Sequence, residues 1–180
     1  MTRLITMTGG LLTLLAVAIA TTASATPSSN KWACTRANVM KTVSPKAAKV
    51  GFDSHSRIRR VGRRHPYWNG WCGNWTTTYT GLPVDRSAFA QIKVSLYKAP
   101  RDASVALSEP DLGATRTLAN GVRTRSRADN STGWGASLVQ NVFISSNGCC
   151  GPLADQGGAE AIRAQMRIHR RIEAGVLAVR

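Results

Sequence analysis

Arg57, Arg59, Arg60, Arg63, Arg64 and His65 are followed at once by Tyr67, Trp68, Trp71 and Trp75. Cations beside planar rings suit a negatively charged chain. Guanidinium forks grip phosphate, sulfate or carboxylate, while indole faces hold bases or sugars. A second basic set, Arg116, Arg123, Arg125 and Arg127, brackets Asn120-Gly121, the strongest turn signal in the chain. A two-residue hairpin there opposes Ala119 with Val122, Leu118 with Arg123 and Arg116 with Arg125. Arg116, Arg123 and Arg125 then share one face and Arg127 extends it. Like charges directly opposed on a sheet are unfavourable unless solvent or an anion offsets them. The candidate ligand-binding residues are therefore Arg116, Arg123, Arg125, Arg127, Arg63, Arg64, Trp68 and Trp71. Two plainer readings compete: a solvated outer face for the hairpin, and tryptophans packed around Cys72. The basic face of the last helix, with Arg163, Arg167, Arg170 and Arg171, could also lie on an anionic surface.

Catalytic chemistry has thinner support. The histidines (His55, His65 and His169) and the 9 acids form no serine-hydrolase, zinc-protease or nucleotide-binding spacing. A secreted nuclease needs a base, an acid and arginine for the phosphate. His65 beside its arginines and His169 near Glu173 are the candidate catalytic pair, although a histidine on an apolar helix face also reads as core. No motif calls for a cofactor, and the cysteine spacing does not suit zinc.

The elements that position these groups begin after an export signal. Arg3 is a short positive region, Leu11 to Ala20 an apolar stretch, and Ala23-Ser24-Ala25 a small-residue cleavage site of bacterial type. The apolar stretch is shorter than the roughly 20 residues needed to span a bilayer. Residues 1–25 read as signal peptide, 26–30 as a short linker and 31–180 as one secreted domain, without a transmembrane segment in the mature chain. Without Arg3 the chain keeps 23 basic and 9 acidic residues, a formal charge of +14. Ten of the basic residues and only Asp53 among the acids lie between Thr26 and Arg64. Such a field favours an anionic polymer or surface, nucleic acid included. Arginine excess together with abundant alanine and glycine is also what GC-rich coding produces.

Cys34, Cys72, Cys149 and Cys150 form an even set in an exported chain, which reads as two disulfides. Adjacent cysteines rarely bond each other, so the favoured pairing joins Cys34 and Cys72 each to one of Cys149 and Cys150. The alternative is Cys34–Cys72 with a vicinal Cys149–Cys150 pair, flanked by Gly148 and Gly151 as a sharp turn requires.

A helix is expected over Trp32 to Val43 with Val39, Met40 and Val43 inward, then a short one through Ala48 to Val50 that stops at Gly51. Ser56 to His65 reads as loop or edge. Strands are expected at Trp75 to Thr80, at Gln91 to Tyr97 with Ile92, Val94 and Leu96 on one face, and on both sides of Asn120-Gly121. Trp134 to Ser145 reads as one long strand with Leu138, Val142 and Ile144 inward. Gly158 to Val179 is an amphipathic helix with His169 on its apolar side. The fold class is α+β: an antiparallel sheet of four or more strands packed by a long C-terminal helix and stapled by two disulfides. The leading functional expectation is an exported, non-enzymatic domain for an anionic ligand such as an envelope polymer, a glycan or nucleic acid. The alternatives are a secreted nuclease or hydrolase using His65 and His169, and an extracellular inhibitor or effector that binds another protein.

Overall fold

The computed structural model describes residues 32–34, 39–61, 70–108, 113–129, 132–149 and 154–179, with side chains of the last segment from Gly158 onward. The expected signal peptide and linker lie outside the described residues, as do Arg63, Arg64, His65, Trp68 and Cys150.

Helix α1 (Val39–Val43) and a 3-10 turn (Ala47–Val50) precede the short strands β1 (Ser54–His55) and β2 (Arg59–Arg60). The long strands β3 (Trp71–Leu82) and β4 (Asp85–Tyr97) lead to helix α2 (Pro100–Ala106). Then follow β5 (Arg116–Thr117), β6 (Arg123–Ala128), β7 (Thr132–Val139), β8 (Val142–Cys149) and helix α3 (Ala154–Ala178). The eight strands form one antiparallel sheet in the order β1-β3-β4-β8-β7-β6-β5, with β2 also on the outer edge of β3. The α+β class and the C-terminal helix are as expected, and the sheet has twice the minimum strand count.

Alternation decides which side of the sheet is covered. Ala90, Ile92, Val94 and Leu96 on β4 and Val142 and Ile144 on β8 are fully buried on one face. Successive strand residues point to opposite faces, so this one apolar row defines the core side. Ile168, Ile172 and Val176 of α3 close over it together with Val39 and Met40 of α1. Small residues let α3 sit close: a Cβ added to Gly148 would lie 3.0 Å from Gln165 Cβ and 3.1 Å from the Phe89 carbonyl oxygen. Tyr79 ties the 3-10 segment to β3 by donating to the Pro45 carbonyl at 2.9 Å, and burial pushes its phenol up to about 12. Trp32 donates from Nε1 to the Val176 carbonyl, and Asn141 donates to the carbonyls of Trp32 and Tyr97.

Three expectations need correction. The stretch Trp134 to Ser145 is a hairpin, not one strand: Val139 faces Val142, and Gln140 turns the chain at φ 57°. Leu138 consequently falls on the face opposite Val142 and Ile144, in a smaller cluster with Tyr97, Phe143 and Ala103 under α2. The first helix is shorter than expected, since Trp32, Ala33 and Cys34 are not helical.

The third correction concerns the disulfides. Cys34 bonds Cys72, with Cα atoms 5.3 Å apart, and one disulfide rather than two is found among the described residues. The favoured pairing fails on sheet geometry. Cys72 sits where β3 meets Leu96 and Tyr97 of β4, whereas Cys149 faces Phe89. Seven residues of β4 separate these levels, about 24 Å at ~3.4 Å per residue, far beyond disulfide reach. Closing the 38-residue separation between Cys34 and Cys72 stabilises by roughly 4 kcal/mol in the chain-entropy model. The staple thus fastens the N-terminal segment to β3, not to the late turn.

Candidate functional site

Among the described residues, no long helix packs on the second face of the sheet, and α2 covers one corner of it. Strand register lines up its side chains in rows across the strands. One row runs Thr78, Gln91, Asn147, Trp134, Arg127 over β3, β4, β8, β7 and β6. The next runs Arg59, Thr76, Lys93, Ser145, Ala136, Arg125. Arg59, Gln91, Lys93 and Arg127 are exposed, and Thr76, Thr78, Ser145, Asn147 and Trp134 are half-buried. Hydroxyls and amides thus pave the middle, cations stand at both ends and at Lys93, and one indole lies among them. Arg127 rests over Trp134, its guanidinium carbon 5.9 Å from the ring centroid.

No carboxylate stands in these two rows, and the described acids elsewhere have partners of their own. Asp53 pairs with Arg86, and Asp102 with Arg101 at 3.8 Å. Glu160 pairs with Arg163 and Arg167 at 3.0 and 2.9 Å, and these two hydrogen-bonded guanidinium groups hold its carboxyl below the ordinary glutamate value. Asp85 accepts from Ser87, and Asp129 accepts from the Thr132 N–H. Among the described residues, no carboxylate pairs with Arg59, Lys93 or Arg127. Their positive field is therefore not neutralised locally.

The hairpin set does not assemble as expected. Arg116 faces Thr124 and Thr117 faces Arg123, one residue out of the anticipated register. The loop between them has three residues. The Leu118 N–H donates to the Val122 carbonyl, the Leu118 carbonyl accepts from the Gly121 N–H, and Asn120 Oδ1 accepts from the Val122 N–H. Gly121 takes φ 79°, the left-handed position such a loop needs after its type I turn. The slip turns Arg116 away from the face that carries Arg123, Arg125 and Arg127. Arg125 is a clamp: its Nε and Nη1 donate to the carbonyls of Gly113 and Leu107 at 2.6 and 2.7 Å. Arg116 and Arg125 border a hollow of only about 90 Å³ with Thr124 and Ser126. Arg123 is half-buried opposite Leu138, so of this set Arg127 alone is exposed in the open rows.

The aromatic run also divides. Trp75 is 4% exposed and belongs to the main core, and Trp71 packs half-buried against the small cluster under α2. Arg60 donates to the Cys72 carbonyl, and Arg59 is left facing the open rows. Around the same sheet edge, Lys41, His55, Ser56, Arg57 and Ile58 line an open cleft of about 390 Å³, with the His55 ring stacked on Tyr79 at 5.4 Å. Sequence reasoning missed Thr78, Gln91, Lys93, Asn147 and Trp134 as a set. The signal for Trp134 is its place between Gly133 and Gly135, where small residues face a helix and the intervening ring must face away.

Ser137, His169 and Glu173 have the residue types of a hydrolytic triad, yet their geometry serves packing. Ser137 Oγ lies 2.8 Å from His169 Nε2, and the Glu173 carboxylate lies 3.2 Å from that same nitrogen and also accepts from Ser137. Nδ1, where a triad carboxylate belongs, is instead 2.8 Å from Ser146 Oγ, which accepts from Gln165 at 2.7 Å. Ser137 is 0% and His169 1% exposed beneath α3, so no polymer can reach either. Burial alone would raise the Glu173 carboxyl. The hydrogen bonds and charge of His169, with Ser137 and Arg170, outweigh it and leave the carboxyl below its ordinary value. Among the described residues, no group of three His, Cys, Asp or Glu is placed to hold a metal ion, and no helix is long and apolar enough to cross a membrane.

Fold and site together define a class: an α+β domain whose single antiparallel sheet is packed by a helix on one face and presents a cationic, hydroxyl- and amide-rich surface on the other. The chain resembles, at 12% identity and a TM-score of 0.42, a GTP binding regulator (TM1622) from Thermotoga maritima, over 71% of this chain and 85% of that one. It resembles the extracellular domain of PknH from Mycobacterium tuberculosis at 11% identity and a TM-score of 0.38, over 72% and 94% of the two chains. Neither a protein-family model nor a curated protein matches the sequence.

Proposed function

We propose that the mature chain is an exported, non-enzymatic binding domain that takes an anionic ligand on the open face of its sheet. The observation that carries this reading is the placement of Arg59, Lys93 and Arg127 on that face with no carboxylate partner among the described residues, in a chain of formal charge +15. The remaining cations of the β1–β2 edge, Arg57 among them, extend the field around the side of the sheet. Residues 1–25 serve as the export signal with cleavage near Ala25, and the Cys34–Cys72 bond fits an oxidising destination at the cell envelope or outside it. The ligand is an envelope polymer, a glycan or a nucleic acid. A nuclease is disfavoured because His169, one of its two candidate histidines, is enclosed. An inhibitor of another protein would need a recognition patch that the polar, cationic rows do not resemble.

The test is a salt series of binding isotherms for oxidised residues 26–180 with heparin and polyphosphate. The affinity should fall steeply with salt, and the triple change Arg59→Gln, Lys93→Gln, Arg127→Gln should flatten the log–log slope by about 3, one per lost contact. The helix changes Arg163→Gln and Arg171→Gln should leave it nearly unaltered. Equal losses from both sets would assign the binding to net charge alone and remove the site.

A further inference from the structure

Resting on that reading, we infer that the open face is built for an acidic polysaccharide laid across the strands, not for a nucleic acid strand. The spacing of its cations is the first argument. Neighbouring strands lie about 4.8 Å apart, so Arg59 on β2 and Lys93 on β4 are separated by about 10 Å of backbone, and Lys93 and Arg127 on β6 by about 15 Å. These intervals exceed the step between successive phosphates of an extended nucleic acid strand. They match acids carried on every second or third sugar.

The groups between the cations supply the second argument. Thr78, Gln91, Asn147 and Ser145 present donors and acceptors together, as the hydroxyls of a pyranose require, while Thr76 gives its O–H to the Ile92 carbonyl and offers an acceptor. Gln and Asn offer both an acceptor oxygen and an NH₂ group, which suits adjacent sugar hydroxyls. Sheet surfaces that hold single-stranded nucleic acid instead set several rings side by side for successive bases. Here one indole, Trp134, lies in the row, and its neighbours Asn147 and Arg127 are polar. A pyranose that stacks its C–H face on the uncovered part of the indole brings its carboxylate or sulfate to Arg127, already held over the ring. One sugar spans about one interstrand interval, so the row from Thr78 to Arg127 accommodates a tetra- to hexasaccharide.

Isothermal titration of oxidised residues 26–180 with a hyaluronan hexamer, which carries uronate on every second sugar, a glucose hexamer and a 12-nucleotide single-stranded RNA tests this. The uronate hexamer should bind at least 10-fold tighter than either other probe. Trp134→Ala and Asn147→Leu should each weaken the uronate complex by 10-fold or more while changing polyphosphate binding less than 3-fold. Trp134→Phe, which keeps a stacking ring, should restore most of the loss and guards against an effect of unfolding. RNA binding as tight as uronate, or uronate binding indifferent to Trp134→Ala, overturns this inference while leaving an anionic-ligand domain in place. Failure of all anionic probes, heparin included, removes both readings.

Discussion

The two faces of the sheet are written in the same strands by alternate residues, yet they obey opposite rules. On the covered face, Ile92, Val94, Val142 and Ile144 are fully buried, and the polar groups that enter (Ser137, Ser146, Gln165, His169) bond to one another. On the open face, Gln91 and Lys93 are exposed, Thr76, Thr78, Ser145 and Asn147 are half-buried, and none holds an ion pair with a described carboxylate. Antiparallel sheets commonly solvate one face. A solvated face needs only to be polar, however, and mixed charge would serve solubility better than cations alone. The fold requires the covered face to be as it is and leaves the open face free, which is why the excess of one charge there is the basis of the proposed ligand surface.

The largest effect that sharpens the contrast comes from the covered face. Ile144→Ala removes a fully buried side chain between β4 and α3 and should cost about 2–5 kcal/mol, read as a lower urea midpoint. Asn147→Ala, three residues along the same strand and on the other face, should change stability by no more than about 0.5 kcal/mol. Comparable losses from the two would mean that the open face is packed against something and is not a solvent surface.

A smaller effect tests how closely α3 is seated. Gly148→Ala places a methyl against Gln165 and the Phe89 backbone, neither of which can swing aside, and should cost about 1–3 kcal/mol. Ligand affinity, measured well below the unfolding midpoint, should stay the same, because the change lies on the covered side. A change in affinity would show that the helix and the open face are coupled.

Much of this contrast is legible in the sequence, and what is not legible shares one cause. The alternation of Ile92, Val94 and Leu96 against Lys93 and Ser95 assigned both faces of β4, and the periodicity of α3 placed Ile168, Ile172 and Val176 inward. The turn at Gln140-Asn141 was not legible, because a glutamine at positive φ carries none of the glycine, aspartate or proline signals of a tight hairpin. Missing it merged β7 with β8, put Leu138 on the wrong face and hid Trp134 and Asn147 as cross-strand partners. At Asn120-Gly121 the turn was legible but its length was not. One added loop residue moved Arg116 out of the row with Arg125. Cysteine pairing likewise depended on where along β4 each neighbour falls, which composition and spacing do not encode.

The smallest effect separates the faces by pH. The Glu173 carboxyl lies mostly buried between α3, which carries it, and the sheet, and has its value lowered in the folded state, chiefly because the bonds and charge of His169 overcome the opposing cost of burial. A carboxyl lowered on folding adds stability that is complete above its unfolded value, about 4.3, and is lost as pH falls through the folded one. Acid should therefore weaken the covered face first, and Glu173→Gln should flatten that part of the stability–pH curve while lowering stability at neutral pH. Glu160 is lowered as well, but it is a surface group between Arg163 and Arg167, so Glu160→Gln should flatten the curve less. Urea midpoints at steps between pH 3 and 7 measure this. A Glu173→Gln curve parallel to that of the parent would show that the Ser137–His169–Glu173 contact contributes nothing to acid sensitivity, leaving exposed carboxylates as its source.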